Sequence, residues 1–275
     1  VPAIATTFHD TRVATFPPPA GGWVVLQALN LMELQDSPGW REDGEARARG
    51  VAEALRIAHR SRATDPVEDL VDYGDAVAER ISKETARRLW EARGEPAEGA
   101  EAAVPGTARV ATRGETTHFT VVDGDGLMVA ATASVNAYFG ARVAHPELGF
   151  LYNDYMNEFV VGDPDHPFAL GPDAMPYSSM SPTIVSRGGS PVLGLGSPGS
   201  ARIVSAVAQV VDRWVAVGQT LEEAVAAPRL HVVPEASLYV EGGAGGAAPP
   251  WAVDSGFEIA VPSDDLAAGG RNPYF

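Results

Sequence analysis

Apolar residues in the first third of the chain recur at three- and four-residue intervals, the spacing that lines one face of an α-helix. Trp23–Leu34 is the first such stretch, with Val25, Leu26, Leu29, Met32 and Glu33 at mixed spacing. It is entered through a stiff turn, Pro17-Pro18-Pro19 followed by Gly21-Gly22. Glu45–Arg62 predicts a second helix, rich in Ala and Arg, with Val51, Leu55 and Ala58 on one face. Asp75–Arg93 predicts a third, amphipathic and strongly charged. From Gly94 to Thr112 periodicity gives way to Ala, Glu, Gly and Pro, which predicts a solvated, mobile linker over about residues 94–115.

Beyond the linker the period falls to two. His118–Asp123 and Leu127–Asn136 predict strands joined by Gly124-Asp125-Gly126, a strong hairpin signal. Asp123 and Asp125 suit turn chemistry; the ligand spacing of a calcium loop does not follow them. Ser181–Ser186 and Pro191–Leu195 predict two more strands, joined through Arg187–Ser190. A Gly-Ser-Pro-Gly turn opens a helix over Ala201–Val217, with Ile203, Val204, Val207, Val210, Val211 and Trp214 on its buried side. Thr220 and Glu223 form a capping box for a short helix ending before Pro228. Strand-like pieces follow at Ser237–Glu241 and Phe257–Val261, and no internal repeat is visible. Helices, linker, strands, helices and strands in that order predict an α+β sandwich with helices on each side.

Composition narrows the function classes. The 275 residues are 45% apolar with a mean hydropathy of −0.05, an ordinary globular balance. No apolar run approaches the roughly 18 residues of a membrane helix, and no basic-then-apolar leader is visible. Residues 1–115 hold 19 acids and 14 bases (net −5); residues 116–275 hold 17 acids and 6 bases (net −11). An acidic chain without a basic stripe is a poor fit to nucleic acid or anionic lipid. The absence of cysteine excludes disulfides, thiolate metal sites and cysteine nucleophiles, and leaves the compartment open.

The predicted linker ends at Glu115-Thr116-Thr117-His118, where a strand begins. A threonine hydroxyl is a weak nucleophile; a free α-amine on the same residue, with a pKa near ~8, can act as its base. That amine exists only once the chain is cut between Glu115 and Thr116, and an exposed segment running into a rigid strand suits such a cut. By itself, Thr-Thr before a strand is what β propensity supplies. Ser134 and Asn136 lie two apart on a predicted strand and so share a sheet face, a polar pair in an apolar run. Glu158 either faces the ammonium of an amino-acid-like ligand or is a solvated acid in an acidic chain. The Ser178-Ser179-Met180-Ser181-Pro182 loop gathers donors able to hold a carboxylate, although Ser-rich turns are commonly structural. Gly196–Ser200 lies at a helix N-terminus, where unpaired N–H groups suit an oxyanion hole. It is neither a P-loop, since no Gly-Lys-Ser/Thr follows, nor a nucleophile elbow, since Leu195 occupies the position of its first glycine.

Taken in order, PPPAGG (17–22), TTHFTVVD (116–123), SVNAYFG (134–140), NDYMNEF (153–159), SSMSPT (178–183), GSPGSARI (196–203) and Ala226–His231 resemble the gamma-glutamyltranspeptidase family. The likeness is collinear over nearly the whole chain. It implies a four-layer αββα fold of the N-terminal-nucleophile hydrolase type and a precursor that cuts itself between Glu115 and Thr116. Residues 1–115 would then be the end of the large subunit and 116–275 the small subunit, associated after the cut. Thr116 matches the residue that both cuts the chain and becomes the nucleophile. Ser134 stands where the family usually has a threonine bonded to it. Asn136 and Glu158 match positions that hold the substrate's α-amino group, Glu158 replacing the usual aspartate. Ser178 and Ser179 match the pair that contacts the α-carboxylate. Gly199 and Ser200 match a Gly-Gly whose amides form the oxyanion hole, provided Ser200 can adopt the backbone conformation.

The resemblance further implies a γ-glutamyl substrate such as glutathione, an amino acid or water as acceptor, no metal or organic cofactor, and a periplasmic or extracellular location. Three departures stand out. Tyr155 replaces the usual glutamine or glutamate at the amine-binding end. The loop Val160–Met175 is shorter than the lid of many relatives, so a more open cleft is expected. The large subunit's N-terminal half, with the arginine expected to pair with the substrate carboxylate, has no counterpart here. Competing readings are an acylase acting on glutaryl-type amides and a catalytically silent fragment that needs further segments.

Overall fold

The segments on either side of the predicted cut meet in one sheet. The computed structural model describes residues 1–67, 69–94, 114–166, 168–232, 237–241, 250–253 and 257–260; residues 95–113 of the predicted linker, and Val261, lie outside them. In chain order the elements are β1 (Ile4–Phe8), β2 (Thr11–Thr15), α1 (Gly22–Glu33), α2 (Pro38–Glu42), α3 (Gly44–Thr64), α4 (Gly74–Arg80) and α5 (Lys83–Glu91). Then come β3 (Gly114–Val122), β4 (Met128–Ala137), β5 (Thr183–Arg187), β6 (Ser190–Leu195), α6 (Arg202–Asp212), α7 (Leu221–Ala226), β7 (Leu230–Val232), β8 (Ser237–Val240), α8 (Pro250–Val253) and β9 (Glu258–Ala260).

Strands β1, β2, β5 and β6 form an antiparallel sheet in that order, β2 pairing Arg12 with Ser186 and Thr15 with Thr183. A layer of α1, α3 and α6 covers one face. Phe8, Val13, Val185 and Leu193 from the sheet join Leu26, Leu29, Leu55, Val204 and Val207 from the helices in one core. Each large aliphatic side chain buried there contributes about 1.5–3 kcal/mol. Helix α1 is buried on nearly all sides, which its apolar run WVVLQALNLM permits. Its two buried amides tie down the end of α4: Gln27 Nε2 donates to Arg80 O (2.9 Å) and Asn30 Nδ2 to Ile81 O (2.6 Å).

The hairpin β3–β4 lies on the other side of the four-stranded sheet. Its polar face, with Thr116, His118 and Thr120, meets β6, where side chains of Thr120 and Met128 fill the space above Gly194. Its outward face carries Phe119, Val121 and Val129, each about half exposed. A third sheet, β7-β8-β9, flanks the helices. The mixture of helical and stranded layers is the α+β arrangement expected from the periodicity.

Candidate active site

The hairpin register places Thr116 opposite Ser134, with a bulge that then sets Glu115 opposite Asn136. Simple alternation therefore does not carry Asn136 onto the face of Ser134; the bulge at Val135 does the positioning. Asn136 takes φ +69°, a left-handed conformation that asparagine tolerates better than most residues. The Ser134 hydroxyl sits at the junction. It lies 2.9 Å from Thr116 Oγ1, donates to Glu115 O (3.1 Å) and accepts from Asn136 N (2.9 Å). When its single proton is given to Glu115 O, Thr116 must be the donor in the hydroxyl pair.

The NDYMNEF string closes the other end of the site. Asp154 pins the end of β4, its Oδ1 accepting from Ala137 N (2.9 Å) and its Oδ2 from Asn157 Nδ2 (3.0 Å). Tyr155–Glu158 is a single 3₁₀ turn, and from it Glu158 Oε1 accepts from Asn136 Nδ2 (3.0 Å). Burial pushes the Glu158 carboxyl above its ordinary value, opposed by the Asn136 bond and by the charge of Arg62. Tyr155 is half-buried on the same turn; its amide bonds Asn153 Oδ1 (3.0 Å), and its phenol makes no hydrogen bond to the cluster among the described residues.

Ser178 and Ser179 are held from two directions. The PPPAGG turn backs them: Ser178 N donates to Pro19 O (3.4 Å), and a Cβ on Gly21 would come within 3.0 Å of Ser179 O. Helix α3 supplies Arg62, whose guanidinium donates to Ser179 Oγ (3.2 Å) and Ser178 O (2.9 Å) and stacks over the Tyr177 ring at 4.0 Å. The 160–175 loop folds against this wall, Phe168 packing edge-on to Tyr177.

Gly199 (φ +121°) and Ser200 (φ +55°) form the turn into α6. Ser200 adopts the left-handed conformation of a glycine at a cost of about 1 kcal/mol. Its N–H and that of Gly199 donate to no group among the described residues. The turn is seated on the hairpin through Gly196, where a Cβ would lie 2.2 Å from the His118 ring. His118 is itself held by Thr132 Oγ1 (2.9 Å) and Thr120 Oγ1 (3.1 Å), and burial lowers its pKa, so it is neutral at pH 7. Asp123 Oδ1 accepts the amides of Asp125 (3.0 Å) and Leu127 (2.8 Å), as turn chemistry requires.

Thus a chain of hydrogen bonds runs from Glu115 and Thr116 through Ser134 and Asn136 to Glu158, with Ser178 and Ser179 beside it on Arg62. The profile of the family Gamma-glutamyltranspeptidase matches residues 1–249. The chain belongs to the gamma-glutamyltranspeptidase family. It is 34% identical over 239 residues to the glutathione hydrolase proenzyme of Pseudomonas sp. (strain A14), covering 82% of this chain and 40% of that protein. It is 32% identical over 228 residues to the acylase ACY 1 proenzyme of Pseudomonas sp. (strain V22), covering 78% and 38%. The chain therefore spans about two fifths of the length of these relatives. Its fold is that of the N-terminal-nucleophile hydrolases: cephalosporin acylase from Bacillus halodurans superposes with a TM-score of 0.69 at 24% identity, over 97% of this chain and 47% of that one.

Two members of the site escaped the sequence reading of this gamma-glutamyltranspeptidase-family chain, Arg62 and His118. Arg62 was legible in principle: it continues the stripe Val51, Leu55, Ala58 by one more helical turn, a charge on an apolar face. His118 lies within a quoted motif, and its contact with Gly196 spans residues far apart in sequence. Gly196→Ala is expected to push the Gly199–Ser200 turn off the hairpin. Overpacking of this kind costs about 1–3 kcal/mol, measurable as a lowered Tm.

Proposed function

We propose that this chain cuts itself before Thr116 and then hydrolyses or transfers γ-glutamyl groups, as from glutathione, to water or an amino acid. The observation that carries the proposal is the Ser134 hydroxyl bridging Thr116 Oγ1 and Glu115 O. In the uncut chain, Thr116 Oγ1 attacks the Glu115 carbonyl carbon and its proton leaves toward Ser134. The C–N bond breaks, the Thr116 nitrogen takes up a proton, and the resulting ester is hydrolysed by water. The freed α-amine then serves as base for the same hydroxyl. Attack on a γ-glutamyl amide gives an oxyanion that the Gly199 and Ser200 amides stabilise. The proton passes to the departing amine, and water or an amino acid resolves the acyl-enzyme. No step calls on a metal or organic cofactor.

The γ-glutamyl group is supported by charge. Glu158 is partly desolvated beside Asn136, and a ligand ammonium would favour its ionised form. Ser178 and Ser179, backed by Arg62, offer the opposite sign for the α-carboxylate. The two pieces made by the cut would stay together, because β2 pairs with β5 and α1 and α3 share a core with α6. A second reading, an acylase acting on glutaryl amides, is favoured by Tyr155 at the amine-binding end and by the likeness to the ACY 1 proenzyme.

Intact mass after incubation tests the cut, and turnover by the cut protein tests the substrate. Pieces 1–115 and 116–275, with release of aniline from a γ-glutamyl anilide, are expected. A single mass from folded protein would overturn the first claim. Turnover of a glutaryl anilide with none of the γ-glutamyl compound would replace the second by the acylase reading.

A further inference from the structure

Arg62 is a fully buried charge. It is 2% exposed, and among the described residues no carboxylate pairs with it and its Nε has no hydrogen-bond partner. Two other partly buried arginines have carboxylate partners: Arg47 is paired with Asp212, and Arg229 with Glu241 at 3.1 Å. A buried charge left without a counter-ion is costly. Burial lowers the Arg62 pKa to about 9, which leaves the guanidinium charged at neutral pH. Its two bonds both go to the Ser178–Ser179 loop, and the Glu158 carboxylate is the opposing charge that acts on it.

These facts define a polarised pocket wall. Arg62 donates to Ser179 Oγ, so the Ser179 hydroxyl proton is free to point away from Arg62, toward a ligand. Positive charge thus stands behind a half-exposed hydroxyl donor at one end, and the Glu158 carboxylate at the other. The two ends match the carboxylate and ammonium of an α-amino acid.

We propose that Arg62 is the positioning residue that makes the Ser178–Ser179 loop selective for a substrate bearing a free carboxylate, acting through the Ser179 hydroxyl rather than by touching the ligand. The proposal rests on the γ-glutamyl reading, and it places a positive charge from α3 behind the two serines. A bond that pins the loop would matter equally for every substrate; a charge that selects would not.

The experiment compares a γ-glutamyl anilide with its α-carboxamide analogue on the cut protein, in wild type, Arg62→Lys and Arg62→Met. Arg62→Met is expected to raise KM for the free acid by about 10-fold or more, with KM for the carboxamide within about 2-fold and kcat less affected. Arg62→Lys should recover part of the loss, because the charge is kept and the fork geometry is not. Equal losses on both substrates would overturn the proposal. If Arg62→Met does not fold, Arg62→Lys decides: an acid-to-amide preference equal to wild type would overturn it, and a several-fold lower one supports it. If wild type turns over neither anilide, the γ-glutamyl reading fails on its own. Calorimetry with glutarate against its monoamide then still separates the cases: tighter glutarate binding in wild type that weakens in Arg62→Lys supports the role, and equal binding throughout refutes it.

Discussion

On the proposed self-cleavage, Thr116→Ala is expected to leave the chain whole after any incubation, and Ser134→Ala to slow the cut by about 10²–10³-fold, the scale of losing one donor to a developing oxyanion. The serine effect is the more informative. Ser134 Oγ touches Thr116 Oγ1, Glu115 O and Asn136 N at once, so alanine removes the acceptor for the attacking hydroxyl's proton and the donor on the scissile carbonyl together. Ser134→Thr keeps the hydroxyl and should cut within a few-fold of wild type. Time courses of intact mass from 4 °C to 37 °C measure both, with circular dichroism to show that each variant folds. If Ser134→Ala cut at the wild-type rate, the hydroxyl would be a packing contact only, and the bridging geometry would lose its meaning. The same substitution tests the bulge at Val135, since Asn136 N loses its partner and Asn136 is the residue that meets Glu158.

The helices and the hairpin were legible because their signals are local. Trp23–Leu34 became α1 with its start and end shifted by one residue, and the Thr220–Glu223 capping box formed as its residue types demand. The third helix divides instead into α4 and α5, because Ser82 caps a new start by accepting from Thr85 N (3.0 Å) while α1 bonds the Arg80 and Ile81 carbonyls. The β1–β2 hairpin was invisible for a different reason. Its buried positions include Thr11 and Thr15, polar residues that hide the alternation. They are tolerated inside because each has a partner: Thr11 donates to Phe8 O (2.7 Å), and Thr15 to Pro182 O (3.0 Å). Its turn is made by His9 at φ +51° rather than by the glycine or asparagine that would have announced it. The predicted helix Ala201–Val217 ends in a π turn, Arg213–Val217, with Arg213 bonding the carbonyls of Ala227 (3.1 Å) and Pro228. At the site, the motifs held neither Arg62 nor the bulge at Val135, and they gave Ser200 without the left-handed conformation that it must hold.

Acid should separate the two halves of the molecule well before its carboxylates are fully titrated. His59 on α3 and His231 on β7 are both buried and share one hydroxyl: Ser205 Oγ on α6 lies 3.2 Å from His59 Nε2 and 2.8 Å from His231 Nδ1. The rings meet edge to face at 5.2 Å, and Tyr239 flanks His231 at 6.0 Å. Desolvation lowers the pKa of His59 to about 3, with the Arg62 charge adding to the effect. The same cause, with the His59 and Arg202 charges, holds His231 well below its ordinary value. The unfolded chain takes up these protons near pH 6.5 and the folded one does not, so between about 6.5 and 3 the unfolded state binds more protons. Stability is therefore unaffected by this pair above pH 6.5 and falls as the pH drops, by up to about 1.4 kcal/mol per pH unit for each histidine. His59 belongs to the segment before the predicted cut, and Ser205 and His231 to the segment after it, so in cut protein the same protons act on the association of the pieces. Denaturant titrations of the uncut Thr116→Ala protein at pH 7, 6, 5 and 4 should show this slope, and His59→Gln should reduce it by about one proton. Asp36, whose carboxyl is held low chiefly by its bond to Arg41, loses stability in the same direction, which is why the difference between variants decides. Parallel curves for the two proteins across that range would mean that the histidines are not the groups acid attacks.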